Sequence, residues 1–81
     1  MTETTLETLE PGNKAIIKRV EAAGPARKRV AEMGLSKGTC VEMVRRAPMN
    51  DPIEFRVRGY NISLRKVEAS AIIVDILEDG A

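Results

Sequence analysis

The sequence predicts a small, mostly β domain: an SH3-like barrel of about five strands with one short α-helix across one end. Short segments rich in β-branched residues alternate apolar and polar positions, and glycine or proline residues separate them. A single segment has the spacing of an amphipathic helix. A flat sheet of such short strands would expose its edges, and closing the sheet into a barrel removes them.

The first elements are an apolar anchor and a strand. Leu6 and Leu9 precede a Pro-Gly turn, and residues 14–21 are rich in β-branched side chains. We therefore expect the leucines to pack on the domain and the first strand to follow the turn.

A short helix should begin at Gly24 and Pro25, because proline suits the first helical position, where its missing N–H has no intrahelical partner. An apolar stripe at helical spacing follows, made by Ala26, Val30 and Met33. Gly34 then stands where a left-handed residue ends a helix, and Leu35 is placed to pack back on Val30. This pattern predicts a Schellman motif.

The second half of the chain reads as strands and turns. The expected elements are a strand at 53–58 between a loop at 48–52 and a tight turn at 59–61, preceded by a strand at 39–47 and followed by a strand at 62–65, a helical turn at 67–71 and a last strand at 72–77.

The chain is expected to form one domain over residues 6–77, with polar ends at 1–5 and 78–81 that fray. Its single cysteine cannot form an intrachain disulfide, and no stretch resembles a signal peptide, so we expect a cytoplasmic protein. Cys40 lies on the opposite strand face from Val41, and we interpret it as a core or inert thiol.

The composition argues against catalysis. The sequence contains no histidine, which is the commonest general base at neutral pH and a common metal ligand. No catalytic pair or ligand cluster stands out, so we predict a protein without enzymatic activity and without a cofactor. Asp51 and Glu54 are weak candidates for metal ligands, since Asp51 has a ready structural role in its own turn.

All 13 lysine and arginine residues lie between Lys14 and Lys66, and both ends of the chain are acidic. Arg56, Arg58 and Arg65 could form a ladder on neighbouring strands, which would suit nucleic-acid phosphates. Single-strand binders also stack bases on aromatic side chains, and the sequence has only Phe55 and Tyr60. Nucleic-acid binding therefore stays an alternative with little support.

Taken together, several segments resemble those of the ferrous iron transport protein A (FeoA) family. The matching segments are LETLEPG, RKRVAEMGL, GTCVEMVRRAP, DPIEFRVRGYNISLRK and EASAIIVDI, in this order. Asn50 stands where the family often has glycine, and asparagine also accepts left-handed geometry, so we expect the turn to be retained.

The resemblance implies an SH3-like barrel that assists or regulates ferrous iron uptake. The implied partner is a membrane ferrous-iron transporter with a cytosolic guanine-nucleotide-binding domain, which would recruit the chain to the inner face of the membrane. A stand-alone metal-sensing module and self-association remain alternatives. Our candidates for partner contacts are Arg27, Arg29, Val30, Met33, Arg45, Met49 and Tyr60.

Overall fold

Six antiparallel strands form one sheet in the computed structural model of the chain, which describes residues 2–77. The strands are β1 (Thr2–Thr5), β2 (Lys14–Val20), β3 (Cys40–Arg46), β4 (Ile53–Val57), β5 (Tyr60–Leu64) and β6 (Ile72–Leu77). The helices are α1 (Gly24–Glu32) and α2 (Lys66–Ala69), and a 3₁₀ turn spans Leu6–Thr8. The expectation of a mostly β fold with one principal helix is confirmed.

The strands follow the order β1-β6-β2-β3-β4-β5. Within the described residues β1 and β5 do not pair with each other, so the hydrogen-bonded sheet is open, whereas we expected a closed or nearly closed barrel. Register shifts between Ile17 and Arg19 and between Met43 and Arg45 interrupt the ladders of β2 and β3. Such irregularities increase the local twist and bend of a sheet.

The N-terminal strand was missed by the sequence analysis, which expected residues 1–5 to fray and counted about five strands. Thr4 pairs with Val74 and Thr5 with Ile73, so β1 covers the free edge of β6. Threonine is β-branched and favours extended backbone, which supports this pairing. Segment 78–81, also expected to fray, lies outside the described residues.

One hydrophobic core joins the sheet to the helices. Its fully buried large side chains are Phe55, Leu6, Leu9, Ile17, Leu35, Met43, Ile53, Leu64, Ile72, Val30, Val41 and Val74. Strand β6 has a neighbouring strand along each edge, β1 and β2, and its residues Ile72 to Asp75 are buried at four consecutive positions, so both of its faces are covered there. The expected packing of Leu6 and Leu9 on the domain is confirmed.

Helix α1 ends in the predicted Schellman motif. Gly34 has φ +83°, and its N–H donates to the Ala31 carbonyl at 3.0 Å. The Leu35 N–H donates to the Val30 carbonyl at 3.3 Å, and the Leu35 side chain is buried. These two bonds turn the chain sharply away from the helix towards β3.

The β4–β5 turn contains two residues, Arg58 and Gly59, and not the segment 59–61 that we expected. Both have positive φ, 53° and 85°, and Val57 pairs directly with Tyr60. Two successive positive φ values are typical of a type I′ hairpin turn. Arginine is uncommon at such a position, so the sequence indicated only the glycine.

Among residues 2–77 no helix has the length and apolar character that crossing a membrane requires.

Candidate partner-binding surface

A groove of about 310 Å³ lies between α1, the end of β2 and the loop that follows the helix. Its lining residues are Lys18, Arg19, Val20, Arg27, Val30, Ala31, Leu35, Ser36 and Lys37. The apolar members line its inner part, since Val30 and Leu35 belong to the buried core. Four members are basic, and no carboxylate of residues 2–77 lines the groove.

These four basic side chains differ in the partners that they already have. Lys18 Nζ lies 3.3 Å from Asp75 Oδ2, and Arg27 Nη1 donates to the Val20 carbonyl at 3.3 Å. Within the described chain Lys37 has no carboxylate within ion-pair distance. Arg27 and Lys37 are therefore the groove cations without a carboxylate partner among residues 2–77.

Arg19 stands between two carboxylates at the edge of the groove. Its Nε donates to Glu21 Oε2 at 3.0 Å, and its Nη1 lies 3.5 Å from Glu3 Oε2. The hydrogen bond with Glu21 is the largest of the effects that raise the pKa of Arg19, and the charges of Glu3 and Glu21 add to it. The charge of Arg19 is therefore partly balanced by these two carboxylates.

A second cleft, of about 410 Å³, lies beside the loop at residues 47–52. Arg45 Nε donates to Glu54 Oε1 at 2.9 Å, and Arg46 Nη2 donates to the carbonyls of Glu7 and Leu9, both at 2.8 Å. Both arginines of this cleft are therefore held by groups of the chain itself. This includes Arg45, one of our partner candidates.

The two most exposed of the candidate side chains lie far apart. Met49 is 84% exposed and Tyr60 is 73% exposed. Met49 stands in the loop that leads into β4, whereas Tyr60 follows the turn at the opposite end of this five-residue strand. A strand of that length spans roughly 16 Å. The two side chains therefore do not form one compact patch.

Val30 has no exposed surface and belongs to the buried core, so as a partner candidate it can only form the floor of the groove. It is the helix residue whose side chain inserts into the core, and Met33 is half-buried against the same core. Of the helix candidates, Arg27 and Arg29 stay exposed. Arg29 Nε lies 3.0 Å from Glu68 Oε2, which joins α1 to α2.

The two candidate metal ligands serve other purposes in the structure. Asp51 Oδ1 accepts a hydrogen bond from the Lys66 N–H at 2.8 Å, and thereby ties the 47–52 loop to α2. Glu54 accepts bonds from Arg45 and from Asn61 Nδ2. In the described part of the chain no group of three or more Cys, Asp and Glu side chains is placed to hold a metal ion.

The predicted arginine ladder does not form. Arg56 is paired with Asn61, near the β4–β5 turn, and Arg58 lies within this turn. Arg65 follows Leu64 at the other end of the hairpin. The ladder assumed a turn at residues 59–61. The observed two-residue turn changes which residues of β4 and β5 pair, and Arg65 therefore lies away from Arg56.

Cys40 is exposed, so it is not a core residue, and its interpretation as an inert thiol stays a prediction. It lies at the first position of β3, on the face opposite the buried Val41. The alternation did place it opposite Val41, but the outer face of β3 is open at this point.

The groove and its basic residues outside the helix are not predictable from local sequence. Lys18, Arg19 and Lys37 belong to a strand and a loop that become neighbours only when α1 folds back on β2. Their local sequence signal was only that of exposed basic residues. Val67, which is 71% exposed on α2, was also missed.

Comparisons of sequence identify relatives over nearly the whole chain. The FeoA domain model matches residues 4–76. Over 76 residues the chain is 41% identical to the Fe(2+) transport protein A/Fe(2+) transporter FeoB fusion protein of Porphyromonas gingivalis, which covers 94% of this chain. The chain spans only 9% of that fusion protein. A putative Fe(2+) transport protein A of Methanocaldococcus jannaschii is 29% identical, with coverage of 85% of this chain and 82% of the relative.

Solved structures show the same fold. A FeoA-like protein from Clostridium acetobutylicum aligns with a TM-score of 0.89 and 35% identity, over 100% of this chain and 95% of that one. FeoA of Stenotrophomonas maltophilia, solved in complex with zinc and described as an SH3 domain protein, gives 0.78 and 29%, over 89% of each chain. A manganese-dependent transcriptional repressor, 20% identical with a TM-score of 0.85, shares the fold alone over 95% of this chain and 42% of its own. The predicted SH3-like fold is confirmed.

Proposed function

Because the chain belongs to the FeoA family, we propose that it is an accessory protein of ferrous iron uptake that binds the cytosolic part of a FeoB-type membrane transporter. The observation that carries this proposal is the fusion protein of Porphyromonas gingivalis, in which Fe(2+) transport protein A and the transporter FeoB are one chain. Fusion into one chain gives each module a high effective concentration near the other, and this is an advantage when the two modules act together. In our proposal this chain contacts the cytosolic part of the transporter in the same way as a fused module would.

The proposed role is binding and regulation at the cytoplasmic face of the membrane, on the part of the transporter that holds its guanine-nucleotide-binding domain. The sequence offers no histidine as a general base. The described arginines of the second cleft and the carboxylates of Asp51 and Glu54 are occupied by internal contacts. Ferrous iron is the cargo of the transporter in this account, so the chain itself needs no iron site.

We expect cells that lack this chain to take up ferrous iron more slowly. The reason is that the transporter would lose a partner that assists or regulates it, while its own transport path stays intact. The measurement is uptake of radioactive iron supplied with a reductant, in cells without the chain and in cells complemented with it. A matched strain without the transporter sets the background. Uptake equal to that of the parent strain would contradict the proposal.

A further inference from the structure

The groove between α1 and β2 has an apolar interior and a basic rim, and in the described part of the chain no carboxylate lines it. We infer that it binds an acidic segment of the transporter's cytosolic part, with an aliphatic side chain of that segment inside the groove. The inference rests on the proposed function and specifies which surface of this chain makes the contact and what chemistry the bound segment has.

The size of the groove suits a peptide side chain. A volume of about 310 Å³ is at the lower end of the roughly 300–1,000 Å³ typical of small-molecule sites. Among its apolar lining residues Val20 is half-buried and Ala31 is exposed, whereas Val30 and Leu35 have almost no exposed surface. An aliphatic side chain placed there would extend the core of the domain outward. No aromatic residue lines the groove, so it lacks the stacking surface that single-stranded nucleic acids use.

The charge of the rim selects an acidic ligand. Between Lys14 and Thr39 the sequence has seven basic and two acidic residues. Arg27 uses Nη1 for the Val20 carbonyl, which leaves its other N–H groups for a ligand carboxylate. Lys37 has no carboxylate partner within residues 2–77, as shown above. We therefore place the acidic side chains of the ligand at these two residues.

The other two rim cations contribute less. Lys18 is at the rim, but its charge is balanced by Asp75, whose side chain is only 9% exposed. Arg19 is balanced by the exposed Glu3 and Glu21. The second cleft is a weaker candidate, because Glu54 lines it and neutralises Arg45.

The test compares variants of this chain for binding to the transporter's purified cytosolic part. Arg27→Glu and Lys37→Glu reverse the rim charges, and Ala31→Phe places a large side chain in the groove. Lys66→Glu is the matched charge control, because Lys66 is also exposed and does not line the groove. Lys14→Glu is a second charge control, because Lys14 is exposed at the start of β2 and does not line the groove. Thermal unfolding of each variant verifies that it is folded.

We expect each of the three groove variants to lower the affinity about tenfold or more, with a weaker salt dependence after charge reversal, and both controls to bind like the wild type. Wild-type affinity of all three folded groove variants would overturn the inference and leave the proposed function in place. A second outcome would also overturn the inference: the groove variants bind the transporter's cytosolic part like the wild type and lose only the binding of a polyuridylate probe. If the wild type itself does not bind the cytosolic part, the proposed function fails, and the assignment of this ligand fails with it.

Discussion

Replacing Phe55 by alanine is expected to lower the free energy of unfolding by about 3–5 kcal/mol. Phe55 is fully buried at the centre of β4 and is the largest side chain of the core. Its removal deletes apolar contacts and leaves a cavity that the surrounding strands can close only in part. Because small domains are stable by only about 5–15 kcal/mol, this one substitution would remove much of the total.

Urea unfolding followed by circular dichroism measures this loss. Tyr60→Ala is the matched control, since Tyr60 is the other aromatic residue of the sequence and is 73% exposed. Substitutions at such exposed positions usually change stability by no more than about 0.5 kcal/mol. Phe55→Leu, a milder change, keeps the comparison possible if the alanine variant does not fold. Equal losses for Phe55→Ala and Tyr60→Ala would contradict the core described above.

Replacing Arg46 by methionine is expected to cost about 1.5–3 kcal/mol, the typical contribution of hydrogen bonds to charged groups. Arg46 Nη2 donates to the carbonyls of Glu7 and Leu9, each at 2.8 Å, and thereby attaches the 3₁₀ segment to β3. Methionine keeps most of the aliphatic contacts but leaves both carbonyls without this donor. The free energy of unfolding from urea titration measures the cost.

The adjacent residue provides the control for this substitution. Arg45 forms an exposed ion pair with Glu54 at 2.9 Å, and such surface pairs contribute about 0–1 kcal/mol. Arg45→Met should therefore be much milder than Arg46→Met. If the two arginine variants were equally stable, the bonds from Arg46 would not hold the N-terminal segment as the structure indicates.

The sequence was sufficient for those elements whose signals are local. The Schellman end of α1 depends on Gly34 and Leu35, whose spacing from Val30 is visible in the sequence. The burial of Phe55 likewise follows from the alternation along β4. In both cases neighbouring residues determine the result, so no knowledge of distant segments was required.

Features that depend on distant segments were not predictable in this way. The strand β1 exists because Thr4 and Thr5 pair with β6, about 70 residues later in the chain. The sequence did show that Arg46 is basic, but its bonds to the carbonyls of Glu7 and Leu9 require knowing that the N-terminal segment crosses the end of β3.

The candidate site was only partly predictable for the same reason. Met49 and Tyr60 stand in or beside loops, and both are exposed, as is typical of such positions. Val30 was placed among surface contacts, because the helical stripe shows which residues share a face but not how deeply that face is buried. The groove itself combines Lys37 with residues of β2, and this proximity arises only in the folded chain.

The most direct measurement is a calorimetric titration of the transporter's cytosolic part with the wild-type chain in moderate salt. Our account predicts a saturable complex at micromolar concentrations, with an affinity that falls as salt is added because basic rim residues contribute to binding. The folded Phe55→Leu variant should bind as well, since Phe55 is buried away from the surface. Absence of any complex at these concentrations would contradict the account.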